Sequence, residues 1–179
     1  MTVQLGAGRQ RRRPATTIPR QRANKMKRAP YQNTTTPSSS WACPRPQDTA
    51  RVARLLTDTV RDNVWLLRGP LGSGKTTFVR GLLRGLGYRG VVTSPTFVLT
   101  RTYLLPPNKR WGVVLHIDAY RLRDRHEGAA LDIASAAMNP RCLVVIEWPE
   151  RLQEHPWSSS HTLRFRHIKN GRQISLRTK

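Results

Sequence analysis

A chain of 179 residues is long enough for one domain with a real core, and without a run of 18 apolar residues it offers no transmembrane helix. Its formal charge is +22, from 32 basic and 10 acidic residues, a balance that favours contact with a polyanion such as RNA. Its two cysteines, Cys43 and Cys142, cannot form a disulfide framework and read as free thiols in a reducing compartment, the cytoplasm; its five histidines show no metal-ligand spacing.

The first 47 residues hold ten basic residues and no acid. They lack apolar periodicity and cannot offset ordering entropy by burial, so 1–46 reads as a disordered basic tail and 47–179 as the folded domain. Three readings of the tail stand side by side: a basic arm that touches RNA, an Arg-rich transit peptide, or a start codon placed too far upstream.

Folding is expected to begin near Pro46, with Asp48 capping a helix that carries Val52, Leu55, Leu56 and Val60 on one face. Val64-Trp65-Leu66-Leu67 suits a buried parallel strand. It runs into Gly69-Pro70-Leu71-Gly72-Ser73-Gly74-Lys75-Thr76-Thr77, which has the form G-x-x-x-x-G-K-[ST]. Such a loop wraps phosphate oxygens in backbone N–H groups, and the following helix adds partial positive charge. Gly69, Leu71, Gly72, Ser73, Gly74, Lys75, Thr76 and Thr77 are therefore the expected nucleotide-binding residues. Lys75 is placed to reach the β- and γ-phosphates and the Thr76 hydroxyl to hold Mg²⁺. Phe78, Val79, Leu82, Leu83 and Leu86 continue as a helix ending at Gly87.

One helix downstream, Thr93, Ser94 and Thr96 surround Pro95. This is either a switch-like loop that senses the γ-phosphate or a plain loop. Residues 97–105 and 111–118 read as an antiparallel hairpin around Pro106-Pro107-Asn108-Lys109. The second strand puts His116 and Asp118 on one face; Asp118 either holds a Mg²⁺-bound or attacking water or is a surface acid paired with Arg121 or Arg123. Residues 127–138 read as a short Ala-rich helix, and Cys142-Leu143-Val144-Val145-Ile146-Glu147 as a central strand ending in a Walker B carboxylate that faces the P-loop Mg²⁺. Residues 161–178 read as a hairpin turning at Asn170-Gly171. The fold class is thus three-layer α/β of the P-loop type, its mixed sheet parallel at the centre with antiparallel hairpins added.

The ordered set from Gly69 to Gly81, Thr93-Ser94-Pro95-Thr96-Phe97, His116-Ile117-Asp118-Ala119-Tyr120-Arg121-Leu122 and Ile146-Glu147-Trp148-Pro149-Glu150 resembles the TsaE (YjeE) family over about residues 46–178. The resemblance implies a P-loop ATPase of tRNA threonylcarbamoyladenosine synthesis, stimulated by the partner proteins TsaD and TsaB and meeting tRNA through them. It implies ATP as substrate and Mg²⁺ as cofactor, with Lys75, Asp118 and Glu147 catalytic, Thr76 and Glu147 on the metal, and Trp148 beside the nucleotide. Ser73 stands where the family usually has alanine, the segment between Arg123 and Cys142 lacks the family's acidic helix, and the basic tail has no family counterpart. Two other functions share these features: a small-molecule P-loop kinase, against which the short hairpin after Glu147 counts, and a non-catalytic RNA-binding protein, against which the lack of any RNA-binding module counts.

Overall fold

Strands β2 (Val64–Arg68) and β5 (Cys142–Glu147) are apolar almost throughout because both their faces are covered. Trp65, Leu67, Leu143 and Val145 point into a core shared with helices α1 (Pro46–Thr59) and α2 (Lys75–Gly85). Val64, Leu66, Val144 and Ile146 point the other way, into a second core closed by Ile133 of α3 (Ile133–Met138) and by Leu122 and Leu152. Two helical layers around one sheet follow directly from this alternation.

The computed structural model describes residues 39–107, 109–122, 132–152 and 160–178. The remaining strands are β1 (Ser40–Cys43), β3 (Thr100–Leu104), β4 (Val113–Asp118), β6 (His161–Ile168) and β7 (Gly171–Thr178). The seven form one sheet in the order β1-β7-β6-β2-β5-β4-β3. Its centre, β6-β2-β5-β4, is parallel, and β3, β7 and β1 join antiparallel. This is the mixed P-loop sheet expected from the sequence. Among the described residues no helix is long and apolar enough to cross a membrane.

Several boundaries differ from expectation for local physical reasons. Strand β1 lies within the stretch read as tail: it pairs with β7 from Ser40↔Ser175 to Cys43↔Arg172, and Cys43 is fully buried. Four residues are too few to show a period, and the sheet edge supplies the partners that the local pattern could not reveal. Residues 1–38 of the expected tail lie outside the described residues. Helix α1 starts at Pro46 with Arg45 as its N-cap, so Asp48 does not cap but reaches back, its carboxylate accepting the Arg45 N–H at 3.0 Å. Leu55, expected on the buried face, is 51% exposed, whereas Val52, Ala53 and Leu56 are buried.

The 97–118 hairpin pairs only from Thr100↔Ile117 to Leu104↔Val113. Leu99 adopts φ 63° and breaks the strand upstream; Asn108 of the turn lies outside the described residues. Of the helix expected over 127–138, Ile133–Met138 is present and 123–131 lies outside the described residues. The last hairpin turns through Lys169 and Asn170, and Gly171 opens β7 opposite Ile168 with φ 117°.

Helices α1 and α2 touch backbone to backbone at Gly81. A Cβ there would sit 2.5 Å from Ala50 Cα and 2.9 Å from its Cβ, so the helices would have to part. Gly81→Ala is expected to destabilise the fold by about 1–3 kcal/mol, the usual cost of overpacking a close contact. Urea denaturation measures this; an unchanged midpoint would mean that the helices separate without loss.

Candidate active site

The carboxyl ends of β2, β5 and β4 lie side by side, with Leu67 in register with Glu147 and Glu147 with Asp118. In an open α/β sheet this end is where ligands bind. The chain leaves β2 into the glycine-rich loop and enters α2 at Lys75, with Gly74 as the N-cap at φ 99°. That left-handed conformation is open to glycine and strained for other residues. It aims the first N–H groups of α2, which have no partner within the helix, toward the sheet's end.

Lys75 is 4% exposed, and its Nζ donates to the carbonyls of Gly69 at 2.8 Å and Pro70 at 2.9 Å. It also lies 3.9 Å from the centroid of the Trp148 ring. Burial pushes the Lys75 pKa below the usual lysine range, while the Glu147, Asp118 and Glu150 carboxylates pull it back. No ion pair to a carboxylate is made by this ammonium among the described residues. Trp148 reaches it because residue 148 sits at φ 58°, its N–H donating to Leu67 O at 3.2 Å; the Tyr120 ring packs 5.0 Å from it.

Glu147 is 2% exposed and accepts from the Thr76 hydroxyl at 3.0 Å. The same oxygen, Glu147 Oε1, lies 3.0 Å from His116 Nε2, whose ring is buried completely in the sheet. Strand alternation puts His116, Asp118 and Glu147 on the P-loop side, the arrangement expected for residues 116 and 118. Asp118 is buried rather than superficial: Ser94 donates to its Oδ2 at 3.3 Å, Thr96 donates to the same oxygen, and the Tyr120 N–H donates to Oδ1 at 3.1 Å. Among the described ion pairs none joins Asp118 to Arg121, and Arg123 lies outside the described residues.

These groups line a cavity of about 400 Å³. It collects Leu71, Gly72, Gly74, Lys75, Thr76, Thr77, Ser94, Thr96, Asp118, Glu147 and Trp148 from the residues expected at the site. Gly69, Ser73 and Thr93 are not in its wall. Gly69 contributes its carbonyl to Lys75, Ser73 is buried with an unpartnered hydroxyl, and Thr93 is exposed with its carbonyl accepting from Tyr103. The wall also contains Tyr120, Arg121 and Arg172, to which sequence reading assigned no role in binding. The first two lie in the His116–Leu122 stretch and their neighbourhood to Asp118 was a usable signal. Arg172 had none, being one of 32 basic residues in a distant hairpin.

The loop, the Thr76–Glu147 contact and the Ser94/Thr96–Asp118 contact meet in one polar cavity at the carboxyl end of the sheet. The model of the family described as "Threonylcarbamoyl adenosine biosynthesis protein TsaE" matches residues 43–175. The chain belongs to the TsaE family. Curated relatives bear the name tRNA threonylcarbamoyladenosine biosynthesis protein TsaE. The relative from Streptomyces coelicolor is 42% identical over 56% of this chain and 64% of its own length. That from Bacillus subtilis is 32% identical over 64% and 68%, and that from Treponema pallidum 37% identical over 73% and 93%. The crystal structure of YdiB from Bacillus subtilis shares the fold, with a TM-score of 0.63 and 23% identity over 79% of this chain and 85% of that one. Within this TsaE-family chain the match begins at Cys43, the last residue of β1.

Proposed function

We propose that the chain acts in tRNA threonylcarbamoyladenosine synthesis as a Mg²⁺-dependent ATPase, working with TsaD and TsaB and meeting tRNA through them. The observation that carries this reading is the convergence of Lys75, the Thr76–Glu147–His116 line and Asp118 on one cavity at the carboxyl end of the sheet. The names of the relatives supply the pathway.

The residues fit a hard divalent ion. A hydroxyl and a carboxylate 3.0 Å apart are oxygen donors of the kind Mg²⁺ takes, with phosphates and waters completing its shell. Thr76 and Glu147 would hold it; when bound, it neutralises charge building on the phosphate oxygens. Lys75 would exchange the carbonyls of Gly69 and Pro70 for phosphate oxygens, which its unpaired ammonium favours. Asp118, fixed by Ser94 and Thr96, orients the attacking water, and those two hydroxyls couple the 93–97 loop to the γ-phosphate. His116 fixes the Glu147 carboxylate through Oε1, the oxygen that also meets Thr76. The ATPase domain is the 47–179 region read from the sequence, to which Pro46 of α1 and strand β1 are added.

Phosphate release by the full chain, alone and with TsaD and TsaB, tests the proposal beside Lys75→Ala and Glu147→Ala. Slow turnover, stimulated by the partners and lost in both variants, is the expected result. A rate indifferent to the partners would sever the link to tRNA modification, and no turnover in any mixture would remove the ATPase reading.

A further inference from the structure

The cavity's charges do not balance. Asp118 and Glu147 are already held by hydroxyls and by His116, and Lys75 is folded onto loop carbonyls. Arg172 has no carboxylate partner among the described residues. Its backbone, by contrast, is fixed by the sheet. It is register-paired with both Cys43 of β1 and His167 of β6, and the hairpin carrying it leans on the P-loop, where His167 Nε2 lies 3.3 Å from the Leu71 carbonyl. The side chain runs along the backbone of Gly74: a Cβ on that residue would lie 2.5 Å from Arg172 Nη1 and 3.1 Å from its Cδ. A guanidinium is thus laid against the residue that caps α2, where the helix already favours an anion.

We propose that Arg172 is a phosphate ligand of the bound nucleotide, delivered by the C-terminal hairpin to the outside of the P-loop. This rests on the reading of the cavity as a nucleoside triphosphate site. The planar fork of arginine suits two phosphate oxygens at once, which an ammonium cannot match. Because Gly74 belongs to the part of the loop that cradles the phosphates shared by di- and triphosphates, Arg172 contributes to binding both. Gly74 is then glycine for two reasons, its left-handed backbone and the room it leaves for this side chain.

The test is titration of the full chain with fluorescent ADP and ATP analogues, comparing wild type with Arg172→Gln, Arg172→Ala and Arg172→Lys, alongside melting temperatures without nucleotide. Arg172→Gln and Arg172→Ala are expected to weaken both nucleotides about tenfold to a hundredfold, by a common factor, with melting unchanged; Arg172→Lys falls between. Wild-type affinity in Arg172→Gln overturns the proposal, since the side chain then only packs. So does a loss confined to ATP, or one that tracks a fall in melting temperature. If the wild type binds neither nucleotide, the triphosphate reading itself fails and takes this proposal with it, an outcome distinct from wild-type binding that ignores residue 172.

Discussion

Glu147→Gln is expected to lower ATP turnover by about 10²–10³-fold while leaving nucleotide affinity within a few-fold of wild type. The substitution keeps the size of the side chain and one oxygen acceptor for Thr76 or His116, so little packing is lost. What disappears is the negative charge, which a hard divalent ion requires and which only matters fully once charge develops on the transferring phosphoryl group. Binding depends instead on the loop N–H groups, Lys75 and the start of α2, all upstream of the change. Lys75→Ala should behave differently, losing affinity and turnover together, because its ammonium meets phosphate in the ground state as well. Single-turnover phosphate release and equilibrium titration separate the two patterns. Full turnover in Glu147→Gln would mean that the carboxylate is a structural partner of His116 and no more.

The contrast between these residues and Arg172 shows which parts of the site local sequence can carry. The P-loop is legible because its glycines, lysine and threonine must be consecutive: phosphate binding by backbone N–H groups needs one continuous turn. Glu147 is legible because a strand covered on both faces is apolar until it ends, so an acid at its tip stands out. His116 and Asp118 share a face by simple alternation, but that the histidine meets Glu147 depends on the β4–β5 register, which no local pattern encodes. The Trp148 contact with Lys75 depends on a left-handed residue directly after a strand. Arg172 depends on two antiparallel pairings, one of them with β1, a strand of four mostly polar or small residues hidden at the edge of a basic tail. Its role follows from where the sheet puts it, and composition supplies only the surplus of arginine from which it is drawn. Of the Ala-rich stretch before Cys142, Ile133–Met138 is helical where Ile133 has a sheet face to cover, so packing supports what alanine's propensity favours.

The largest effect on stability is expected at Trp65, where Trp65→Ala should cost about 3–5 kcal/mol, a large share of the roughly 5–15 kcal/mol that holds a domain together. Trp65 is fully buried in β2, three residues before Arg68 hands the chain to the P-loop. Its ring lies 6.1 Å from Phe78 in the first turn of α2 and 6.4 Å, edge to face, from Trp111 ahead of β4. His161, at the start of β6, packs 6.5 Å away, and the indole N–H donates to Asp62 O at 2.9 Å. One side chain therefore ties the strand before the loop to the helix after it and to the segments that open β6 and β4. Truncation leaves a void among elements that cannot all close in, since three of them are fixed by sheet register. Urea denaturation should show a lower midpoint with an unchanged slope, and nucleotide affinity should fall less than stability does, because the phosphate-facing groups lie beyond Arg68. A loss below about 1 kcal/mol would mean that the core collapses around the missing ring. Affinity lost in a protein still folded would show instead that the loop takes its shape from this contact, placing Trp65 in the support of the site as well as of the fold.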